Sequence, residues 1–111
     1  MRLYGLKNCD TCKKAMKSLV AEGNTVEFVD VRADGVTAGD LESFLQAFGD
    51  ALVNTRSTTW RGLSEAERRE PSLMLLQYSP TLMKRPVIQH NEDLFLGWEK
   101  DVQSILLGAA P

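Results

Sequence analysis

Residues 2–31 constrain the fold more tightly than any other part of the chain. Residues 2–6 (Arg-Leu-Tyr-Gly-Leu) predict a short strand with alternating faces. Lys7 and Asn8 predict a turn. From about Asp10 to Ala21, the residues Cys12, Ala15, Met16, Leu19 and Val20 recur at spacings of three and four. That is the apolar stripe of a helix, and Lys13, Lys14 and Lys17 fall mostly on its other side. In Glu22-Gly23-Asn24, Gly23 supplies the left-handed residue at which such a helix stops. Residues 25–31 (Thr-Val-Glu-Phe-Val-Asp-Val) are β-branched and aromatic and predict a second strand. Strand, helix and strand in this order imply a parallel pair joined by a right-handed crossover.

The middle, about residues 37–80, predicts helices. Leu41, Phe44, Leu45 and Phe48 make one apolar stripe, and Ala51-Leu52-Val53 a short second piece. Ser64 with Glu67 three residues on has the form of a capping box. Pro71 suits the first turn of a helix reaching Tyr78, with Leu73, Leu76 and Gln77 inward. Val87-Ile88-Gln89 and Leu94-Phe95-Leu96 then predict a hairpin around the turn His90-Asn91-Glu92-Asp93. Gly97 leads into a last helix with Val102, Ile105 and Leu106 buried. The sum is an α/β chain: β-α-β, a helical insert, then β-β-α. No repeat or linker divides it, so one domain over residues 1–111 is expected. A chain of 111 residues can bury a core without a metal or disulfide staple.

Charge narrows the function classes. The net charge is −2 and the pI about 5.4, which argues against direct binding of nucleic acid through a basic face. No apolar run has the length of a membrane span. The start, MRLYGLKNCD, is too short and polar for a secretory signal. A cytoplasmic location without membrane attachment is expected, and there a close cysteine pair serves redox chemistry, catalysis or metal binding more often than a structural disulfide.

Cys9-Asp10-Thr11-Cys12 is the sharpest chemical signal. Cys9 falls at or beside the start of the first helix, where unpaired N–H groups and the positive end of the helix dipole favour a thiolate. Lys7, Lys13 and Lys14 add positive charge, and Asp10 opposes it. Cys12 lies one turn on and admits two readings. It can attack a mixed disulfide on Cys9 and close a Cys9–Cys12 disulfide, or it can be a core residue of the apolar stripe. Zinc needs four ligands and one chain offers two cysteines and His90. Only a dimer pooling its cysteines would complete a site, and no metal is expected. Arg85 precedes Pro86 at the start of the third strand, and its guanidinium can hold an oxyanion or carboxylate through two parallel hydrogen bonds. Arg56 is a second candidate. Pro86 is also compatible with an ordinary edge position. Trp60 and Trp98 are expected to pack, and His90 to be a turn residue.

Three stretches together carry a family resemblance: Tyr4-Gly5-Leu6-Lys7-Asn8-Cys9-Asp10-Thr11-Cys12-Lys13-Lys14-Ala15, Asn54-Thr55-Arg56-Ser57-Thr58-Thr59-Trp60, and Leu82-Met83-Lys84-Arg85-Pro86-Val87-Ile88. In this order and at these separations the chain resembles the arsenate reductase (ArsC)/Spx family, and within it the YffB-like branch. The resemblance implies a thioredoxin-like fold with a mixed central sheet. It implies a nucleophilic cysteine at Cys9, an oxyanion-binding arginine at Arg85, and a cis-proline at Pro86 facing the cysteine, and the thiol-reductase branch suits a second cysteine at Cys12 as a possible resolver. Lys7, Asn8 and Arg56 join these as substrate-binding candidates. The implied function is a glutathione-dependent thiol–disulfide reductase. Glutathione would be co-substrate, glutaredoxin a possible partner, and no cofactor would be tightly bound. Two alternatives follow from the same family: a redox switch that binds RNA polymerase, as Spx members do, and arsenate reduction. Family arsenate reductases carry a further arginine after the final hairpin, where this chain reads Phe95-Leu96-Gly97-Trp98.

Overall fold

The structure, a computed structural model, describes residues 1–108. Six helices and four strands run in the order β1 (Arg2–Gly5), α1 (Asp10–Ala21), β2 (Glu27–Asp30), α2 (Ala38–Phe48), α3 (Thr58–Arg61), α4 (Glu65–Arg68), α5 (Ser72–Tyr78), β3 (Val87–His90), β4 (Asp93–Leu96) and α6 (Lys100–Leu106). Single 3-10 turns at Gly49–Leu52 and Pro80–Leu82 follow α2 and α5. The chain forms two compact units: residues 1–30 together with those from Arg85 onward, and residues 31–84.

The first unit holds the sheet, ordered β2-β1-β3-β4. β1 runs parallel to β2 and antiparallel to β3, and β3 runs antiparallel to β4. This mixed sheet, with α1 as the crossover between its parallel strands, is the expected thioredoxin-like arrangement. Register places Leu3 opposite both Phe28 and Ile88, and Ile88 opposite Phe95. Leu3 and Ile88 therefore form the centre of one sheet face, and Cys12, Ala15 and Leu19 of α1 pack on it. Trp98 and Leu106 close the cluster at its edge.

Two residues expected inside are outside. Val20 is 53% exposed and Ile105 65%. On α1 the row 12, 15, 19 makes the contact, and Val20 lies about 100° round the helix from Leu19. On the short α6, the row Val102–Leu106 turns inward and Ile105 falls on its flank. The hairpin turn is also tighter than expected: His90 and Asp93 pair as strand residues. Asn91 takes the left-handed conformation, φ 57°, which asparagine tolerates better than most residues.

The second unit is the helical insert. Its helix starts are set by side chains written in the sequence. Thr37 Oγ1 accepts the Asp40 N–H at 3.1 Å at the start of α2. Ser57 Oγ accepts the Trp60 N–H at 3.1 Å at α3. The expected capping box opens α4, with Ser64 Oγ accepting from the Glu67 N–H (3.1 Å) and Glu67 Oε1 from the Ser64 N–H (2.8 Å). The Arg68 guanidinium lies 5.4 Å from the centre of the Trp60 ring. Pro71 caps α5 from just outside, and the buried pair is Leu75 and Leu76. Gln77, expected inward, is exposed and Leu73 is half-buried. The inward face thus sits about one position earlier than a 73/76/77 stripe would place it. Asn54 N–H to Leu82 O (2.8 Å) and Lys84 N–H to Leu52 O (2.7 Å) tie the stretch that follows α2 to the last residues of the insert.

Candidate functional site

The site is built where β1 ends and α1 begins. Lys7 and Asn8 form the exposed turn expected of them. The Cys9 N–H donates to Leu6 O at 3.1 Å and closes that turn. Cys9 is the N-cap residue of α1, in extended conformation (φ −89°, ψ 118°), and its own carbonyl accepts the Lys13 N–H at 3.0 Å. The half-buried Cys9 thiol thus stands where the first N–H groups of a helix lack intrahelical partners.

Burial pushes the Cys9 thiol up, but the groups around it outweigh burial, and its pKa lies below the ordinary thiol value. The Cys12 N–H, the Cys12 thiol and the Arg85 guanidinium all favour the anion, Arg85 by a hydrogen bond and by charge. Cys12 is its opposite. It is 1% exposed, and its thiol is pushed up to about 11, chiefly by burial and further by the neighbouring Cys9. The Leu6 N–H and the Arg85 charge pull it down by less. Cys12 therefore stays a thiol near neutral pH and donates toward the Cys9 sulfur. Two identical side chains one turn apart are shifted in opposite directions by their surroundings.

Arg85 joins them from the other end of the chain. It is half-buried, and the Arg85–Pro86 peptide bond is cis, as the thioredoxin-like position of Pro86 implies. Pro86 is fully buried, and its carbonyl accepts the Gly97 N–H at 2.8 Å. The first unit therefore brings together Cys9, Cys12, Arg85 and Pro86, with Lys7 and Asn8 on the adjoining turn. Arg56 belongs to the second unit, where it is exposed and its N–H donates to Asn54 Oδ1 at 3.0 Å.

Residues 4–104 match the ArsC family. The chain belongs to the ArsC family. The matched span contains every residue proposed above for the site and ends within α6. An uncharacterized protein of Haemophilus influenzae is 41% identical over 108 residues, 92% of this chain and 95% of that protein. The solved structure of the YffB protein is 30% identical, covers 96% of this chain and 97% of its own, and superposes with a TM-score of 0.88. An arsenate reductase (ArsC) related protein from Brucella melitensis is 32% identical over 94% of this chain and 91% of its own, with a TM-score of 0.72.

Two residues of this ArsC-family site were not singled out from sequence. Gly5, the last residue of β1, lies directly against Cys12: a Cβ at Gly5 would stand 2.5 Å from Cys12 Sγ. Leu6 contributes its N–H to the Cys12 sulfur. The available signal was Gly5 itself, because a glycine inside a strand often marks the close approach of another group.

Proposed function

We propose that this ArsC-family protein is a thiol-dependent reductase of disulfides, with Cys9 as nucleophile and glutathione as electron donor. The observation that carries this reading is the Arg85 guanidinium beside a Cys9 thiol whose pKa is lowered. The Cys9 thiolate attacks one sulfur of a substrate disulfide. A bond forms between Cys9 and that sulfur, the substrate S–S bond breaks, and the other half leaves as a thiolate. Arg85 holds an anionic group of the substrate once Cys9 has spent its charge in the new bond.

The adduct on Cys9 has two routes out. A glutathione thiolate can attack the substrate sulfur, breaking its bond to Cys9 and leaving a glutathione–substrate disulfide, which a second glutathione reduces to the free thiol and glutathione disulfide. Alternatively Cys12 attacks the Cys9 sulfur, the substrate half leaves, and two glutathiones then reduce the Cys9–Cys12 disulfide, being oxidised to glutathione disulfide. The second route gains from the chemistry of the first step. Ionised Cys9 is one reason the Cys12 thiol sits so high, and that contribution vanishes when Cys9 becomes a neutral disulfide. Arsenate reduction is the weaker reading, because Phe95-Leu96-Gly97-Trp98 has no arginine. Turnover of purified protein with glutathione and each of three substrates decides: a small disulfide, a glutathionylated peptide and arsenate. Turnover of the disulfides that is lost in Cys9→Ser supports the proposal. Turnover of arsenate alone, or of nothing, overturns it.

A further inference from the structure

Beside the Cys9 turn, the first unit carries an open groove of about 610 Å³, within the size range of ligand sites. Its floor is apolar, formed by Leu6, Met16, Val20 and Phe28. Val20 is the residue the sequence placed in the core and the structure leaves 53% exposed. The rim carries Lys7, Lys13 and Lys17, and no carboxylate lines the groove among the described residues. Lys13 and Lys17 are one helical turn apart and so stand along one side. Glu27, next to Phe28 on β2, is already engaged by Arg2 Nε at 2.7 Å. Three lysines around an apolar floor are a local departure for a chain of net charge −2. One end of the groove is joined to the nucleophile through the backbone, since Leu6 O accepts from the Cys9 N–H and the Lys13 N–H donates to Cys9 O.

We propose that this groove docks an acidic polypeptide segment bearing bulky apolar side chains, the stretch that flanks the cysteine on which Cys9 acts. Docking of a substrate presupposes the reductase chemistry proposed for Cys9. An open groove leading away from a nucleophile suits a chain that continues past the reacting sulfur, where a small disulfide would leave it empty. Carboxylates of the segment meet the lysine rim and its apolar side chains cover Met16, Val20 and Phe28. A basic segment meets like charge along the same path.

The test uses the full chain and a fluorescein-labelled peptide without cysteine, in which glutamates alternate with leucine and phenylalanine. Its partner peptide has lysine for each glutamate. Anisotropy is read for the native protein and for Lys17→Glu/Val20→Asp, two exposed positions away from the Cys9 turn. The acidic peptide binds the native protein, the basic one does not, and the double variant weakens binding by about tenfold or more. A circular dichroism spectrum and a Cys9 alkylation rate like the native protein's show that the fold and site persist. A second acidic peptide, of the same sequence with one added cysteine carried as its glutathione mixed disulfide, then loses turnover in the double variant while a small disulfide does not. Equal binding of both peptides, or binding untouched by the double variant, overturns the proposal. So does an aliphatic carboxylate such as decanoate binding where the peptide does not. If no disulfide is turned over at all, the reductase reading fails, and the anisotropy result still decides whether an acidic segment docks.

Discussion

Cys9 and Cys12 differ in almost nothing but surroundings, and the surroundings assign their chemistry. Cys9 is favoured as an anion by the start of α1, by Cys12 and by Arg85. Its alkylation rate should therefore rise with pH through a midpoint below that of free cysteine, while Cys12 stays unreactive until near its value of about 11. Arg85→Met removes a cation that favours the thiolate, so it should move the Cys9 midpoint upward. A midpoint unmoved by that change would take Arg85 away from Cys9. Arg85→Lys keeps the charge but loses the planar pair of donors. Loss of a charge-assisted two-pronged contact costs roughly 1.5–3 kcal/mol, so kcat/KM for an anionic disulfide should fall by about one to two powers of ten, with the melting temperature as control. Gly5 makes a separate, structural forecast. Gly5→Ala places a methyl group against Cys12 Sγ and should cost about 1–3 kcal/mol of stability. Gly5→Ala/Cys12→Ala should recover most of that loss in a thermal melt. Failure to recover would mean that the strain lies elsewhere.

Most of the helices and strands were legible because local chemistry and tertiary contact point the same way. α1 ends where Gly23 permits it, and Gly23 has φ 90°. The capping box at Ser64 and Glu67 forms as read. Ser64→Ala removes its first half and should cost about 1 kcal/mol of stability, measured by denaturant melt, with Cys9 alkylation unchanged. The failures are failures of face. Val20, Gln77 and Ile105 lie at the edges of apolar stripes, where spacing alone cannot say which side meets a neighbour. The site was legible in part for the same reason. Cys9 announces itself through its place between strand and helix, whereas the pull of Arg85 on Cys9 joins residues 76 positions apart, a contact that spacing cannot contain. Family resemblance supplied that pairing.

The two units divide the work unequally. The unit that contains the sheet also contains Cys9, Cys12, Arg85 and the cis Pro86, so the proposed nucleophile, the second cysteine and the arginine beside them belong to one small framework. The helical insert carries Arg56 and its own ordered helix caps. The central claim is that Cys9 is the thiolate that forms a mixed disulfide. It is tested most directly with Cys12→Ser, which stops the adduct from closing onto a second cysteine. The protein is exposed to glutathione disulfide near neutral pH, and the modified residue is located by peptide mass mapping. One glutathione should add to Cys9 and be removed again by added glutathione, with no adduct in Cys9→Ser. Cys9 left unmodified in the folded Cys12→Ser protein would contradict the claim.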